Sequence, residues 1–303
     1  MIINKIKQFF AISISISTVL GILFLGNYIV QAIQTGGAGH DGGVIKDAKE
    51  RSLSGYDVTV CSSGCDYTSI YTAFNSNSST PSTYYIAKGT YNETNTIVVP
   101  NTSTIYYEQV VIDFNTNSAY LNANPVYNTT MSGDLTIKGD GSAGGALHFY
   151  IGGSDNNYRN LTTDMILESA GTGSIIPVII SGSDNDVGHI IMKNVSGLTT
   201  TGPVVLIYPA GATYTKGKFT IYNVSIDTTN TMSAMRFQGS SHYNVFEVLI
   251  ENTTNTGSGN SYGVLIDSGN DYNSIFGISK NAKTSNLTDG GAGNKTGQLV
   301  IWF

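Results

Sequence analysis

Short runs of Val, Ile, Phe and Tyr alternate with polar residues along most of the chain, and in the second half the alternation acquires a beat. Gly153, Gly182, Gly211, Gly239 and Gly269 recur every 28–30 residues, and Asn194, Asn223, Asn252 and Asn281 every 29. A fixed period of that length marks one structural unit stacked on copies of itself. The apolar runs are too short for helical repeats and too rich in β-branched and aromatic residues. The pattern predicts an all-β solenoid of coils about 29 residues long.

One coil reads as a strand Val204–Tyr208, a break at Pro209-Ala210-Gly211, a second strand Lys218–Asn223 and a polar loop over Asp227–Ser233. Stacked at that period, Ile190, Phe219 and Val248 form one interior column, and Met192, Ile221 and Ile250 another. The glycines mark corners that need positive φ. By simple alternation Asn194, Asn223 and Asn252 also face inward. A buried Asn requires partners, and the row of amides, with Asn281, predicts an internal asparagine ladder.

Upstream, Val58–Val60 and Tyr84–Ala87 read as strands. Asp66–Phe74 reads as a short amphipathic helix with Ile70, Ala73 and Phe74 on one face, followed by a turn at Lys88–Tyr91 and a strand at Thr96–Val99. The segments Asp66-Tyr67-Thr68-Ser69-Ile70-Tyr71-Thr72-Ala73 and Gly89-Thr90-Tyr91-Asn92-Glu93 resemble the opening of right-handed parallel β-helix proteins of the pectin-lyase-like superfamily. There a strand, a capping helix and a G-T-Y-x-E turn begin the solenoid, and asparagine ladders are common. The resemblance spans residues 56–303, with the capping helix near 66–75, and implies a right-handed fold. It does not bring the family's chemistry. The later acidic and arginine motifs of pectin methylesterases are missing, and of the polygalacturonase series only Gly188-His189-Ile190 echoes.

Charged residues make up 12% of the chain, about half the usual share, and Asn, Ser, Thr, Gly and Tyr take their place. Such a surface suits a protein outside the cell. With 15 Lys and Arg and a net charge of −6, no basic stripe is available for nucleic acid.

Lys5 and Lys7 precede an apolar stretch over residues 9–30, and Val30-Gln31-Ala32 offers a cleavage point. Residues 1–32 are thus a signal peptide or, left uncut, an apolar helix long enough to anchor the protein in a membrane. Residues 33–55, with TGGAGHDGG, read as a flexible linker. In an exported chain Cys61 and Cys65 are expected to form a disulfide, since two thiolates without further ligands complete no zinc site.

Ten N-x-[ST] sequons occur, at Asn77, Asn92, Asn101, Asn128, Asn160, Asn194, Asn223, Asn252, Asn286 and Asn294. The ladder parity predicts Asn194, Asn223 and Asn252 bare, leaving loop positions such as Asn77, Asn101, Asn128 and Asn294 for glycosylation.

The one constellation with catalytic chemistry is Asp184, Asp186 and His189, with Arg159 in register a coil earlier. It has the groups for acid–base work or for holding a cation such as Ca²⁺. The same residues also read as a turn column, because Asp155, Asp184, Ser241 and Asp271 each follow a corner glycine by two positions and short polar side chains there bond their own backbone. No cofactor is otherwise implied. The apolar end at 298–303 either plugs the last coil or docks a second subunit.

These features point to a non-enzymatic surface solenoid, outside the cell or anchored on its outer surface. Its expected partners are a carbohydrate or a protein surface, and its expected setting an adhesive, structural, cell-surface or virion assembly. The alternative is a polysaccharide lyase or glycoside hydrolase.

Overall fold

A computed structural model describes residues 55–302 apart from 79, 115–118, 142–144 and 171–172. The expected signal peptide or anchor, including the apolar helix over 9–30, lies outside the described residues, as does all of the linker but Gly55. Among the described residues no helix is long and apolar enough to cross a membrane. The chain is a parallel β-solenoid of about 7 turns.

Every strand pairs in parallel with the equivalent strand of the next coil. One sheet runs in the order β1 (Val58–Val60), β2 (Thr83–Ile86), β5 (Thr104–Phe114), β7 (Thr130–Gly141), β10 (Leu161–Ala170), β13 (Asp186–Thr200), β15 (Lys216–Thr228), β17 (Val245–Asn255), β19 (Ser274–Lys280) and β21 (Lys295–Trp302), with β3 (Gly89–Glu93) also on β5. The second holds β4 (Ile97–Val98), β6 (Leu121–Tyr127), β9 (Phe149–Ser154), β12 (Val178–Ser183), β14 (Val204–Thr213), β16 (Met232–Phe237), β18 (Ser261–Ile266) and β20 (Ser285–Asp289), with the short β8 (Gly145–Ala146) on β11 (Ser174–Ile175) and β11 on β14. The successive coils supply strands to both sheets, whose inner faces close on one apolar core.

The expected columns are present. Ile190 pairs with Phe219 and Phe219 with Val248, and beside them Met192, Ile221 and Ile250 align; all six are buried. Phe246 wedges between Phe219 and Phe237, with ring centroids 5.1 and 5.7 Å apart, and so ties the two sheets together. Pro209-Ala210-Gly211 does not end its strand as expected: β14 continues through to Thr213, because positive φ at Gly211 turns the chain while the pairing continues. The break after β2 is confined to Ala87 and Lys88, and Gly89–Glu93 is a strand paired with β5 rather than part of a turn.

The ladder parity needs correction. Asn194, Asn223, Asn252 and Asn281 do hydrogen-bond in a row, each Nδ2 donating to the Oδ1 one coil earlier at 3.4, 2.8 and 2.7 Å. They lie at the surface, not inside. Each has φ between 52° and 59°, the left-handed region that Asn tolerates. That conformation bends the strand and interrupts the in–out alternation, so Met192 and Val195 both face in while Lys193 and Asn194 between them face out.

The interior ladder is a different one, at the other corner. Asn156 donates to Asn185 at 2.9 Å, Asn244 to Asn273 at 2.9 Å, and Asn273 to Asn294 at 3.2 Å. Each Oδ1 also accepts a backbone N–H from the preceding coil, including Thr129 N to Asn156 and Thr215 N to Asn244. Asn156, Asn185, Asn244 and Asn273 are buried, so the row supplies the partners that a buried bend lacks.

At the N-terminal end, helix α1 (Ile70–Ser76) buries Ile70, Ala73 and Phe74 over the first coil. It starts later than the pattern suggested. Ser69 is its N-cap, while Asp66 turns back to accept from Thr59 N and Oγ1 at 2.8 Å each.

Candidate functional site

The corner that follows the second sheet stacks seven residues in left-handed backbone: Thr102, Asn128, Asp155, Asp184, Tyr214, Tyr243 and Tyr272. Successive members are linked through the next coil, as where Asp184 N donates to Thr213 O at 3.0 Å and Tyr214 N to His242 O at 3.2 Å. Side chains at this bend point outward. The column is polar and short as far as Asp184 and aromatic from Tyr214 onward.

The tyrosines stack ring on ring. Tyr214 and Tyr243 lie 5.1 Å apart at 7°, Tyr243 and Tyr272 5.2 Å apart at 6°, and the three are 60%, 45% and 54% exposed. Left-handed backbone costs a non-glycine residue about 1–2 kcal/mol, and a stacked pair returns about 0.5–1.5 kcal/mol. Stacking, with the burial of each ring against its neighbour, therefore offsets part of the strain at these three positions.

Beside Tyr214 is a hollow lined by Asp155, Asn157, Arg159, Asp184, Asp186 and Lys216. Asp186 is held by two cations, Arg159 at 3.1 Å and Lys216 at 3.4 Å. The carboxylates of Asp155 and Asp184 are exposed and make no hydrogen bond or ion pair among the described residues. They are therefore not the self-bonding turn column anticipated from sequence. Ser241 turns inward and does bond its own turn, donating to Gln238 O at 3.0 Å while it accepts from Gly211 N and Ala212 N of the preceding coil at 3.0 and 3.2 Å. Next to the hollow runs a shallow groove floored by Gly153, Gly182 and Gly211 and edged by Ser154, Ser183 and Thr213.

Of the four residues singled out for acid–base chemistry, the hollow gathers Asp184, Asp186 and Arg159. His189 is not among its lining. Its Nε2 lies 3.0 Å from Thr220 Oγ1 on the next coil. Partial burial, with the Lys218 charge beside it, holds the imidazole below its ordinary pKa. Positive φ at Gly188 separates the two neighbourhoods by turning the chain between Asp186 and His189. No group of three or more His, Cys, Asp or Glu suited to a metal occurs among the described residues.

Cys61 and Cys65 form a disulfide, and Cys61 packs against Tyr85 and Ala87. The four loop asparagines expected to carry glycans differ in their hydrogen bonding. Asn101 and Asn128 are exposed, with Nδ2 donating to no described partner. Asn77 uses its Nδ2 on Ala73 O and Tyr67 Oη at 2.8 and 3.3 Å, and Asn294 uses its own on Asn270 O and Asp289 Oδ1 at 3.0 and 2.9 Å. The reason given for Asn194, Asn223 and Asn252 staying bare, burial, does not hold, since they line the outer corner. The C-terminal strand pairs with β19 through Trp302, while Phe303 lies outside the described residues.

Two signals missed in the sequence were present in it: Tyr214, Tyr243 and Tyr272 are spaced by 29 residues, as are the pairs Asn156/Asn185 and Asn244/Asn273. No family model, curated protein or solved structure matches this chain.

Proposed function

We propose that this is a non-enzymatic solenoid displayed outside the cell, released or anchored through residues 1–32, that serves an adhesive or glycan-binding role in a surface assembly. The observation carrying this reading is how the acid–base candidates are disposed. Asp186 is neutralised between Arg159 and Lys216, and His189 is bonded to Thr220 away from both. General acid–base catalysis needs groups converging on one reacting atom. The outer corner offers stacked tyrosines and free hydrogen-bonding groups instead. The finer fold reading, a right-handed pectin-lyase-like β-helix with coils of about 29 residues, draws on the opening motif and on rungs such as Asn156–Asn185, which lie 29 residues apart. Self-assembly through 298–303 belongs to the same proposal.

The test is fractionation of the native source, coupled to incubation of the purified full chain with neutral and acidic polysaccharides. Recovery at the cell exterior or in a surface assembly, with no new reducing ends or unsaturated sugars, is the expected result. Cleavage that Asp184→Ala abolishes would establish the alternative, a lyase or glycoside hydrolase.

A further inference from the structure

The tyrosine column has one open face. Tyr243 is covered on both sides by its neighbours. Beyond Tyr272 the next coil supplies Gly293, where an added Cβ would stand 2.6 Å from Tyr272 Cδ1, so backbone already fills that side. At the other end Tyr214 has Tyr243 on one face and the hollow on the other. The next rung of the column falls at Asp184, which has a short side chain where a ring would continue the stack.

The groups around that vacant rung are of two kinds. Asp155 and Asp184 offer unpaired carboxylate acceptors. Arg159 and Lys216, 67% and 51% exposed, keep donors beyond those they direct at Asp186. A ligand suited to this place has a flat apolar face for Tyr214 and hydroxyls that both donate and accept. Three carboxylates against two cations disfavour an anion, and a uronate would bring its charge against Asp155 and Asp184.

We propose that a neutral hexopyranose, terminal or within an oligosaccharide, binds on the free face of Tyr214 and continues the aromatic column by one rung. Its hydroxyls bond Asp155 and Asp184 and accept from Arg159 and Lys216. The hydroxyl-edged groove of Ser154, Ser183 and Thr213 gives the rest of the oligosaccharide its path. This rests on the glycan-binding reading above and narrows it to one sugar class and one site.

The experiment is calorimetric titration of the full-length chain with gluco-, galacto- and manno-oligosaccharides and with oligogalacturonate, each incubation also assayed for cleavage. Tyr214→Asn removes the ring while keeping a residue that accepts left-handed backbone; Tyr272→Asn does the same at the covered end. At least one neutral series should bind, with Tyr214→Asn weakening it about tenfold or more and Tyr272→Asn by less than about threefold. Oligogalacturonate should not bind. Absence of neutral binding, insensitivity to Tyr214→Asn, or preference for oligogalacturonate would overturn the site while leaving a non-enzymatic exterior protein intact. Cleavage of any of these sugars would instead overturn the parent reading.

Discussion

Glu93 caps the helix that closes the solenoid's first coil: its Oε1 accepts from Ile70 N at 2.8 Å, and Ser69 Oγ donates to both carboxylate oxygens at 3.1 Å. The carboxylate is 4% exposed, so it satisfies helix donors that water does not reach. Glu93→Ala strands those donors and should cost about 2–3 kcal/mol; Glu93→Gln keeps an acceptor and should cost about 1 kcal/mol. Urea denaturation of the two variants checks the order, and equal losses would mean that the charge and its hydrogen bonds are not what holds the cap.

The inner and outer asparagine rows should differ sharply in worth. Asn244 donates to Ala212 O and Asn273 Oδ1 and accepts from Thr215 N, all buried. Asn244→Ala should therefore lose about 2–4 kcal/mol. Asn252→Gly keeps the left-handed corner and loses a half-exposed rung, so it should stay within about 1 kcal/mol of the parent. Comparable losses at both would contradict the assignment of inside and outside.

Corner glycines should also separate into two kinds. Gly182 combines φ of 76° with a site where a Cβ would lie 2.0 Å from Gly153 O, whereas Gly269, at φ 78°, has open space around it. Gly269→Ala should cost only the left-handed penalty of about 1–2 kcal/mol. Gly182→Ala adds a backbone clash and should cost at least about 3 kcal/mol or abolish folding. Thermal melts of the two proteins decide.

Alkaline pH should unfold the coil stack. Burial, with the Glu108 charge behind it, pushes the Tyr91 phenol up to about 12, and burial raises Tyr107 and Tyr158 as well. Unfolded phenols ionise near pH 10, so above that the unfolded chain loses protons that the folded one retains. The stabilisation is complete below about pH 10 and is lost as pH climbs through 12. Tyr158 Oη is buried with no partner among the described residues. Tyr158→Phe should be neutral or stabilising by up to about 1 kcal/mol at pH 7, with a shallower loss at pH 11. Urea midpoints at both pH values measure it.

Repetition made the core legible from sequence. The columns of Ile190 and Met192, the turning glycines and the apolar face of Ile70, Ala73 and Phe74 all follow from counting, because hydrophobic burial repeats with the coil. What counting missed were residues in left-handed backbone. Asn194 reverses the parity that alternation assigns to everything after it, and the only mark of that φ in the sequence is the Asn or Asp that tolerates it. The stacked tyrosines escaped for the same reason: a Tyr every 29 residues reads equally well as a strand residue until the bend turns it outward. Asp184 and His189, five residues apart, were joined by proximity in sequence and separated by the turn at Gly188.

Thr215 sits in the inner row where its neighbours Asn185 and Asn244 carry amides, so Asn185 keeps the carbonyl bonds common to the row, to Gly153 O and Ser181 O, but donates to no side-chain rung above it. In a stack of near-identical coils the characteristic misfold is a slip by one whole turn, which would preserve most hydrophobic columns and so carry little penalty from the core. Such a slip would leave the amide of Asn156 without its rung above and set an aromatic ring over Asp155. Irregularities in the repeat would therefore penalise a slipped stack at positions where the hydrophobic columns do not.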